Sequence, residues 1–369
     1  MRILSVIGTR PEAIKMASVV AELRRHPRRV KSIIVSTGQH REMLDQMLGL
    51  FQIHVDYDLD LMKQNQSLAG LTAALLEGLD QVVGRARPDW VLAQGDTTTA
   101  MVAGLVAFYH GVKFGHVEAG LRTGDKHRPF PEETNRRIAD LVADIYFAPT
   151  PWAKANLLRE GCPAAAIHVT GNTVIDALQE IAARPFKWTK SAVASVPEDK
   201  RLVLITAHRR ESFGPPFRKL CFAIRDLAKR YAGDNTHFVY PVHLNPNVRA
   251  PVQEILQGIN NVTLVEPLDY LTMVHLMKRA ALILTDSGGV QEEAPTFGVP
   301  VLVMRDTTER PEGVEAGCVK LVGTNRKTIV TEASRALENR DARKQMCARP
   351  NPYGDGQAAR RIVKILLEQ

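Results

Sequence analysis

Short apolar runs alternate with longer amphipathic stretches along most of the chain. The runs are RILSVIG (2–8), KSIIVSTG (31–38), DWVLAQGD (89–96), KFGHVEAG (113–120), DIYFAPT (144–150) and IHVTGN (167–172). They are rich in Val and Ile and mostly end in glycine or polar residues. Between them lie helix-like segments such as PEAIKMASVVAELRRH, where Pro11 suits a first helical turn. Near-continuous apolar strands alternating with helices predict a parallel sheet covered on both faces. The pattern loosens over ARPFKWTKSAVASVPEDKR (183–201), which reads as a linker region. It then restarts with LVLITAHRR, HFVYPVHLN, VTLVEP, ALILTDSGG, PVLVMRD and VKLVG. The expectation is an α/β protein of two Rossmann-like, doubly wound domains, 1–178 and 179–350. A closing helix within 351–369 should pack back on the first domain.

Composition narrows the class. A chain of 369 residues is too long for one ordinary core, which supports two domains. Hydrophobic content of 45%, charged content of 24% and a mean hydropathy of -0.14 are those of a globular protein. No run is long enough to span a bilayer, so no membrane partner is expected. The opening MRILSVIGTRPE reads as a first strand rather than a signal peptide. Cys162, Cys221, Cys318 and Cys347 are too scattered for a metal or redox motif, and a cytoplasmic location is the expectation. Net charge is +8, yet aromatics are only 6%. Nucleic-acid binders usually combine basic clusters with stacking aromatics. The basic stretch LRRHPRRVK (23–31) sits at a helix end and reads as solvated surface. No nucleic-acid partner is expected, and an anionic small molecule suits the charge better.

In open parallel sheets, ligands bind beyond the carboxyl ends of the strands. Those ends here read GTR, STGQH, QGDTT, HVEAG, TAHRRE, PVHLN, TDSGG and MRDTTERPEG. Polar groups from both halves are therefore expected to converge on a cleft. In GTRPEAIK (8–15) a tight turn opens a helix, and Arg10 and Lys15 suit an anionic phosphate. In DSGGVQEEAP (286–295), Gly288 and Gly289 let a diphosphate approach backbone amides, and Ser287 adds a hydroxyl. Glu292 or Glu293 stands ready for ribose hydroxyls. The GxGxxG fingerprint is absent, so a dinucleotide cofactor is disfavoured. Asp96, Glu118 and Glu132 are the sharpest signal. Three carboxylates at one sheet edge are costly unless cations or a substrate offset them. Arg10, Lys15, Arg122 and Arg128 are the expected cations, with Glu132 in a proline-bounded loop. The chemistry implied is general acid/base work, against the plainer alternative of a structural ion-pair network. His208 and His243 end strands of the second half, and either suits a phosphate oxygen or a proton shuttle.

Ten blocks, in order, resemble the non-hydrolysing UDP-N-acetylglucosamine 2-epimerases: GTRPEAIKM, STGQHREMLDQ, QGDTTTA, HVEAGLRTGD, PFPEETNRR, TGNTVID, TAHRRESFG, DSGGVQEEAP, RDTTERPEG and NPYGDG. The resemblance implies a glycosyltransferase-B architecture and interconversion of UDP-GlcNAc and UDP-ManNAc. It implies no nicotinamide or other cofactor, the two sugar nucleotides as substrates, and a homodimer. A divalent metal on the three carboxylates is the weaker alternative, because the nearby cations already serve the charge balance, and none is expected. Asp96, Glu118 and Glu132 would be the acid/base carboxylates. Arg10, Lys15 and His208 would serve the diphosphate and leaving group. Ser287, Gly288, Gly289, Glu293 and Arg310 would hold the UDP, with Met273 near the uracil and His243 in the substrate site. Relatives are activated by UDP-GlcNAc bound beside the active site, which would place effector contacts at Gln39 and Arg209. This chain has Ala74 where those relatives carry an effector-binding arginine, and that departure counts against such a site.

The rivals are a glycosyltransferase of the same fold, a hydrolysing epimerase and a nucleotide-sugar sensor without turnover. A transferase would not need three carboxylates in the first half.

Overall fold

The structure, a computed structural model, describes residues 1–38, 41–61 and 66–369, with residues 41–43 and Ala342 described by backbone alone. The chain divides into two compact units, Met1–Ala177 with Tyr353–Gln369, and Leu178–Pro352.

The first unit runs β1 (Arg2–Ile7), α1 (Arg10–Arg24), β2 (Lys31–Ser36), α2 (Arg41–Leu50), β3 (Tyr57–Asp58), α3 (Leu68–Ala86), β4 (Trp90–Gln94), α4 (Thr98–Tyr109), β5 (Lys113–Val117), α5 (Glu132–Leu141), β6 (Ile145–Ala148), α6 (Pro151–Arg159), β7 (Ile167–Val169) and the start of α7 (Thr173–Ala182). Its strands are all parallel, in the order β3-β2-β1-β4-β5-β6-β7. The chain thus builds outward from β1 in one direction, then returns to build in the other, and the reversal lies between β1 and β4. Ile3, Leu4, Val6 and Ile7 of β1 are all buried, as a strand covered on both faces requires. One of its layers sets Leu4, Val6, Val91 and Ala93 against Leu75, Leu79 and Val82 of α3 and Val102 and Val106 of α4.

The second unit repeats the plan with β8 (Arg201–Thr206), α8 (Pro215–Arg230), β9 (Thr236–Pro241), α9 (Pro246–Leu256), β10 (Val262–Val265), α10 (Tyr270–Arg279), β11 (Ala280–Thr285), α11 (Gly288–Glu293), β12 (Val301–Val303), α12 (Pro311–Glu315), β13 (Val319–Leu321), α13 (Arg326–Glu338) and α14 (Arg340–Cys347). The order is β10-β9-β8-β11-β12-β13, again all parallel, with the reversal between β8 and β11. Both units are therefore Rossmann-like. The loose stretch before β8 holds a single short helical turn, Trp188–Lys190.

The last helix, α15 (Ala358–Leu367), belongs to the first unit and lies against α1. Asp176 caps it by accepting from the backbone of Ala358 at 3.2 Å and Ala359 at 2.9 Å. Among the described residues no helix is long and apolar enough to cross a membrane.

Candidate functional site

In the first unit, the polar groups gather where β1 and β4 part. Thr9 caps α1 and forms a capping box with Glu12, with Pro11 in the first turn. The Glu12 carboxylate accepts from the backbone of Gly8 at 2.7 Å and Thr9 at 2.6 Å, and from the Thr97 hydroxyl. It thereby ties the turn after β1 to the turn after β4. Burial drives the Glu12 carboxyl up to about 7, against the pull of those donors. A side chain at Gly8 would meet the hydroxyls of Thr37 and Thr99 at 2.5 Å, so this junction tolerates only glycine.

Asp96 follows β4 and Glu118 follows β5, and the two strands pair with Gln94 opposite Val117. The acids thus stand at neighbouring strand ends. Glu118 is buried and adopts φ +67, a left-handed conformation that costs a residue with a side chain on the order of 1–3 kcal/mol. Its carboxylate is held in place by Lys15 Nζ at 2.5 Å, by Asn172 Nδ2 at 3.2 Å and by the Gln94 amide. Asp96 is half-buried. Its carboxylate pairs with Arg136, and its carbonyl accepts from Asn135 Nδ2 at 3.0 Å.

Glu132 does not lie in the loop as expected. It is the first residue of α5, where Glu132 and Glu133 suit the positive end of the helix. One turn on, Asn135 and Arg136 reach Asp96, so α5 brings Glu132 to the same region. Glu132 Oε2 is buried and has no hydrogen-bond partner among the described residues. A buried carboxylate oxygen left unmatched is costly unless something else meets it.

The cations differ from expectation. Lys15 serves Glu118, but Arg136 rather than Arg122 or Arg128 serves Asp96. Arg122 turns to Asp140 at 2.7 Å and Glu160 at 2.6 Å, because those carboxylates lie on α5 and just beyond α6, behind the loop. Arg128 is largely exposed and faces Asp125 at 3.9 Å. Arg10 opens α1 and is half-buried.

In the second unit the candidates stand at the ends of β8, β9, β11 and β12, on both sides of the reversal. Asp286, wholly buried, accepts from the backbone of His208 at 2.7 Å and Arg209 at 2.8 Å through one oxygen. Its other oxygen lies 3.9 Å from His208 Nδ1. His208 stacks on His243 with centroids 5.2 Å apart. Burial holds the His208 ring below its usual range, His243 and Arg209 push the same way, and Asp286 opposes them. Arg310 pairs with Glu292 at 2.8 Å and Glu309 at 3.2 Å. Glu309 also meets Arg305 at 2.9 Å and Arg209 at 3.1 Å. Burial alone would raise its carboxyl, but the three guanidinium groups hold it down at about 2.

Gly288 lies against this cluster: a side chain there would come within 3.2 Å of Glu309 and 3.4 Å of Arg209 and Arg310. Ser287 precedes α11 without capping it. Gly289 lies beside Glu293, which accepts from the Tyr270 hydroxyl at 3.1 Å. Met273 is half-buried on α10, and His243 is exposed.

Of the two effector candidates, Gln39 lies outside the described residues and Arg209 is paired with Glu309. Among the described residues, no group of three or more His, Cys, Asp or Glu is arranged to hold a metal ion. Sequence reasoning missed Glu12, Asn135, Arg136, Asn172, Asp286 and Glu309. The Thr9–Glu12 spacing is a readable capping box; the others carry no local signal.

Residues 21–367 match the family model described as UDP-N-acetylglucosamine 2-epimerase. The UDP-N-acetylglucosamine 2-epimerase of Yersinia pestis is 50% identical over 380 residues, covering 99% of this chain and 98% of its own. That of Escherichia coli K12 is 50% identical over 372 residues, with the same shares covered. The crystal structure of UDP-GlcNAc 2-epimerase from Neisseria meningitidis bound to UDP-GlcNAc is similar at a TM-score of 0.91 and 47% identity, with 100% of both chains covered.

Proposed function

This chain belongs to the UDP-N-acetylglucosamine 2-epimerases, a family of isomerases, and from that premise we propose that it interconverts UDP-N-acetylglucosamine and UDP-N-acetylmannosamine by elimination and re-addition of UDP. The C2 hydrogen of an N-acetyl sugar is a poor acid, and direct removal is hard. Breaking the anomeric C–O bond first sends its electron pair to the diphosphate and leaves a positive centre at C1, which acidifies C2. A carboxylate then takes the C2 proton, and the C–H electron pair becomes the C1–C2 double bond of a glycal. A proton delivered to the other face of C2, with return of the diphosphate oxygen to C1, completes the inversion. No free sugar is released.

Two faces of one carbon call for more than one proton-handling group, and Asp96, Glu118 and Glu132 are the proposed set. The observation that carries this assignment is the buried, unmatched Glu132 Oε2 on the helix whose Arg136 pairs with Asp96. Lys15 and Arg10 are the proposed diphosphate partners from the first unit. In the second, His208 protonates or stabilises the departing UDP. Ser287, Gly288, Gly289, Glu293 and Arg310 hold the nucleotide, with Met273 against the base and His243 beside the diphosphate. A homodimer in the cytoplasm is part of the same reading; a monomer by analytical ultracentrifugation at assay concentrations would contradict the assembly.

The deciding experiment incubates the protein with UDP-GlcNAc in deuterated water without any acceptor. Deuterium at C2 with UDP-ManNAc formed is the expected result. A transferase or a sensor gives no C2 deuterium, and a hydrolysing enzyme gives free N-acetylmannosamine and UDP. Asp96→Asn and Glu118→Gln should each abolish exchange while UDP binding stays nearly intact. Full exchange in both variants would refute the assignment of these carboxylates.

A further inference from the structure

Among the described residues, an ionic network that this reaction leaves unused adjoins the turn that carries Asp96. His116, on β5 two residues before Glu118, is wholly buried. Its Nδ1 lies 2.6 Å from Asp140 Oδ1 and its Nε2 lies 2.7 Å from the Gly95 carbonyl oxygen. A carbonyl never donates. Asp140 is surrounded by donors: besides the ring, it accepts from Arg122 at 2.7 Å and the Gly120 backbone at 3.2 Å. A neutral imidazole would therefore aim a lone pair at one of two acceptors and leave it unmet, at about 1–3 kcal/mol. Satisfying both contacts requires a proton on each nitrogen.

The charges around the ring fit that state. From α5 it faces Asp140, and behind Asp140 stand Arg122 of the following loop and Glu160 after α6. Across the turn, Asp96 is paired with Arg136. The row reads plus, minus, plus, minus from His116 to Glu160. Phe114 of the same strand stacks near the ring at 6.0 Å and brings no charge. Burial works against the charged ring, but the charge and hydrogen bond of Asp140 outweigh it and its affinity for the proton rises.

Gly95 is the hinge of the turn that carries Asp96, at φ +81. Glycine there is free to move unless held. Its N–H donates to the Val117 carbonyl at 3.0 Å, and its carbonyl accepts from His116. The two successive peptide planes on either side of the Gly95 Cα are thus each fixed to β5, whose end leads into Glu118.

We infer that His116, as a doubly protonated imidazolium, is a positioning residue for the epimerisation, locking the Gly95–Asp96 turn to the strand that bears Glu118. The inference rests on the assignment of Asp96 as an acid/base carboxylate.

The test has two readings. In wild-type protein labelled with 15N-histidine, the His116 ring should show two protonated nitrogens from pH 6 to 8, with a scalar coupling from Nε2 across the hydrogen bond to the Gly95 carbonyl carbon. A neutral ring, or no coupling, overturns the proposal whether or not any variant folds. In His116→Gln, kcat should fall on the order of a hundredfold, as for a displacement of about 1 Å at a catalytic group, while KM and UDP binding stay within about twofold. A folded variant with wild-type kcat overturns the proposal. A wild-type protein that exchanges no C2 hydrogen refutes the catalytic reading and this role with it. A doubly protonated ring in that protein would mark the acid/base assignment, not the clamp's geometry, as the failed step.

Discussion

Replacing Glu12 by Gln should reverse the usual expectation that removing a well-bonded buried group weakens a protein. Glu12 is buried beneath the turns after β1 and β4 and its carboxyl is raised from 4.5 to about 7. A folded value above the unfolded one means that the folded state binds the proton more tightly. The stability from that proton is fully present below about 4.5, declines as the unfolded carboxyl ionises, and is lost once pH passes 7. The difference of the two values corresponds to about 3 kcal/mol. Glutamine cannot titrate, yet its amide oxygen can accept from the Gly8 and Thr9 amides, and its NH2 can donate to the Thr97 hydroxyl. Relative to wild type, Glu12→Gln should therefore gain about 3 kcal/mol between pH 4.5 and 8, whatever its offset at the acidic end. Hydrogen exchange at the β1 amides, compared between the two proteins at each pH, reads the first unit alone and cancels the other titrating groups. The expected change in relative protection is on the order of a hundredfold. A ratio flat across that range, or one moving the other way, would show that Glu12 is ionised in the fold at little cost.

Lys15→Met should destabilise the first unit by about 3–5 kcal/mol, because it strips the cation from buried Glu118, and adding Glu118→Gln should restore much of the loss; simple additivity in urea unfolding would contradict the pairing. Gly120→Ala forces a carbon to 2.4 Å from the Ala153 carbonyl at φ +86, and the thermal midpoint should drop by at least 6 °C, roughly 3 kcal/mol for a unit of this size. Glu309 is depressed to about 2, so its contribution is present above the unfolded value and lost as pH falls toward 2. Glu309→Gln should accordingly cost about 3 kcal/mol at pH 7 and progressively less below pH 4, read by exchange at the β11 amides.

The alternation of runs such as RILSVIG and ALILTDSGG was enough to read two parallel sheets, because strands buried on both faces leave unbroken apolar stretches. Asp96, Glu118, His208 and Ser287 were legible for a related reason: the topology makes strand ends the place where polar groups meet. What was hidden depends on which helix face turns inward. Arg136 and Asn135 sit in a charged helical segment where nothing local distinguishes the residues that reach Asp96 from Arg137 beside them. Arg122 looked like the partner of the acids because it is close in sequence, but the loop carries it back to Asp140. His116 and Asp286 are single polar residues inside or beside apolar runs. Their use becomes visible only when a neighbouring strand brings a carbonyl or an amide to them.

The first unit keeps α15, with Asp176 at its head, on the far side of 175 intervening residues, Leu178–Pro352. The second unit is therefore translated in full before the last seventeen residues of the first, Tyr353–Gln369, are added. The lobe begun first is the lobe finished last, and in the interval the α1 surface that α15 will cover stands open to water. A stop codon just after Pro352 would strand it there, with an intact second lobe attached to an unfinished first.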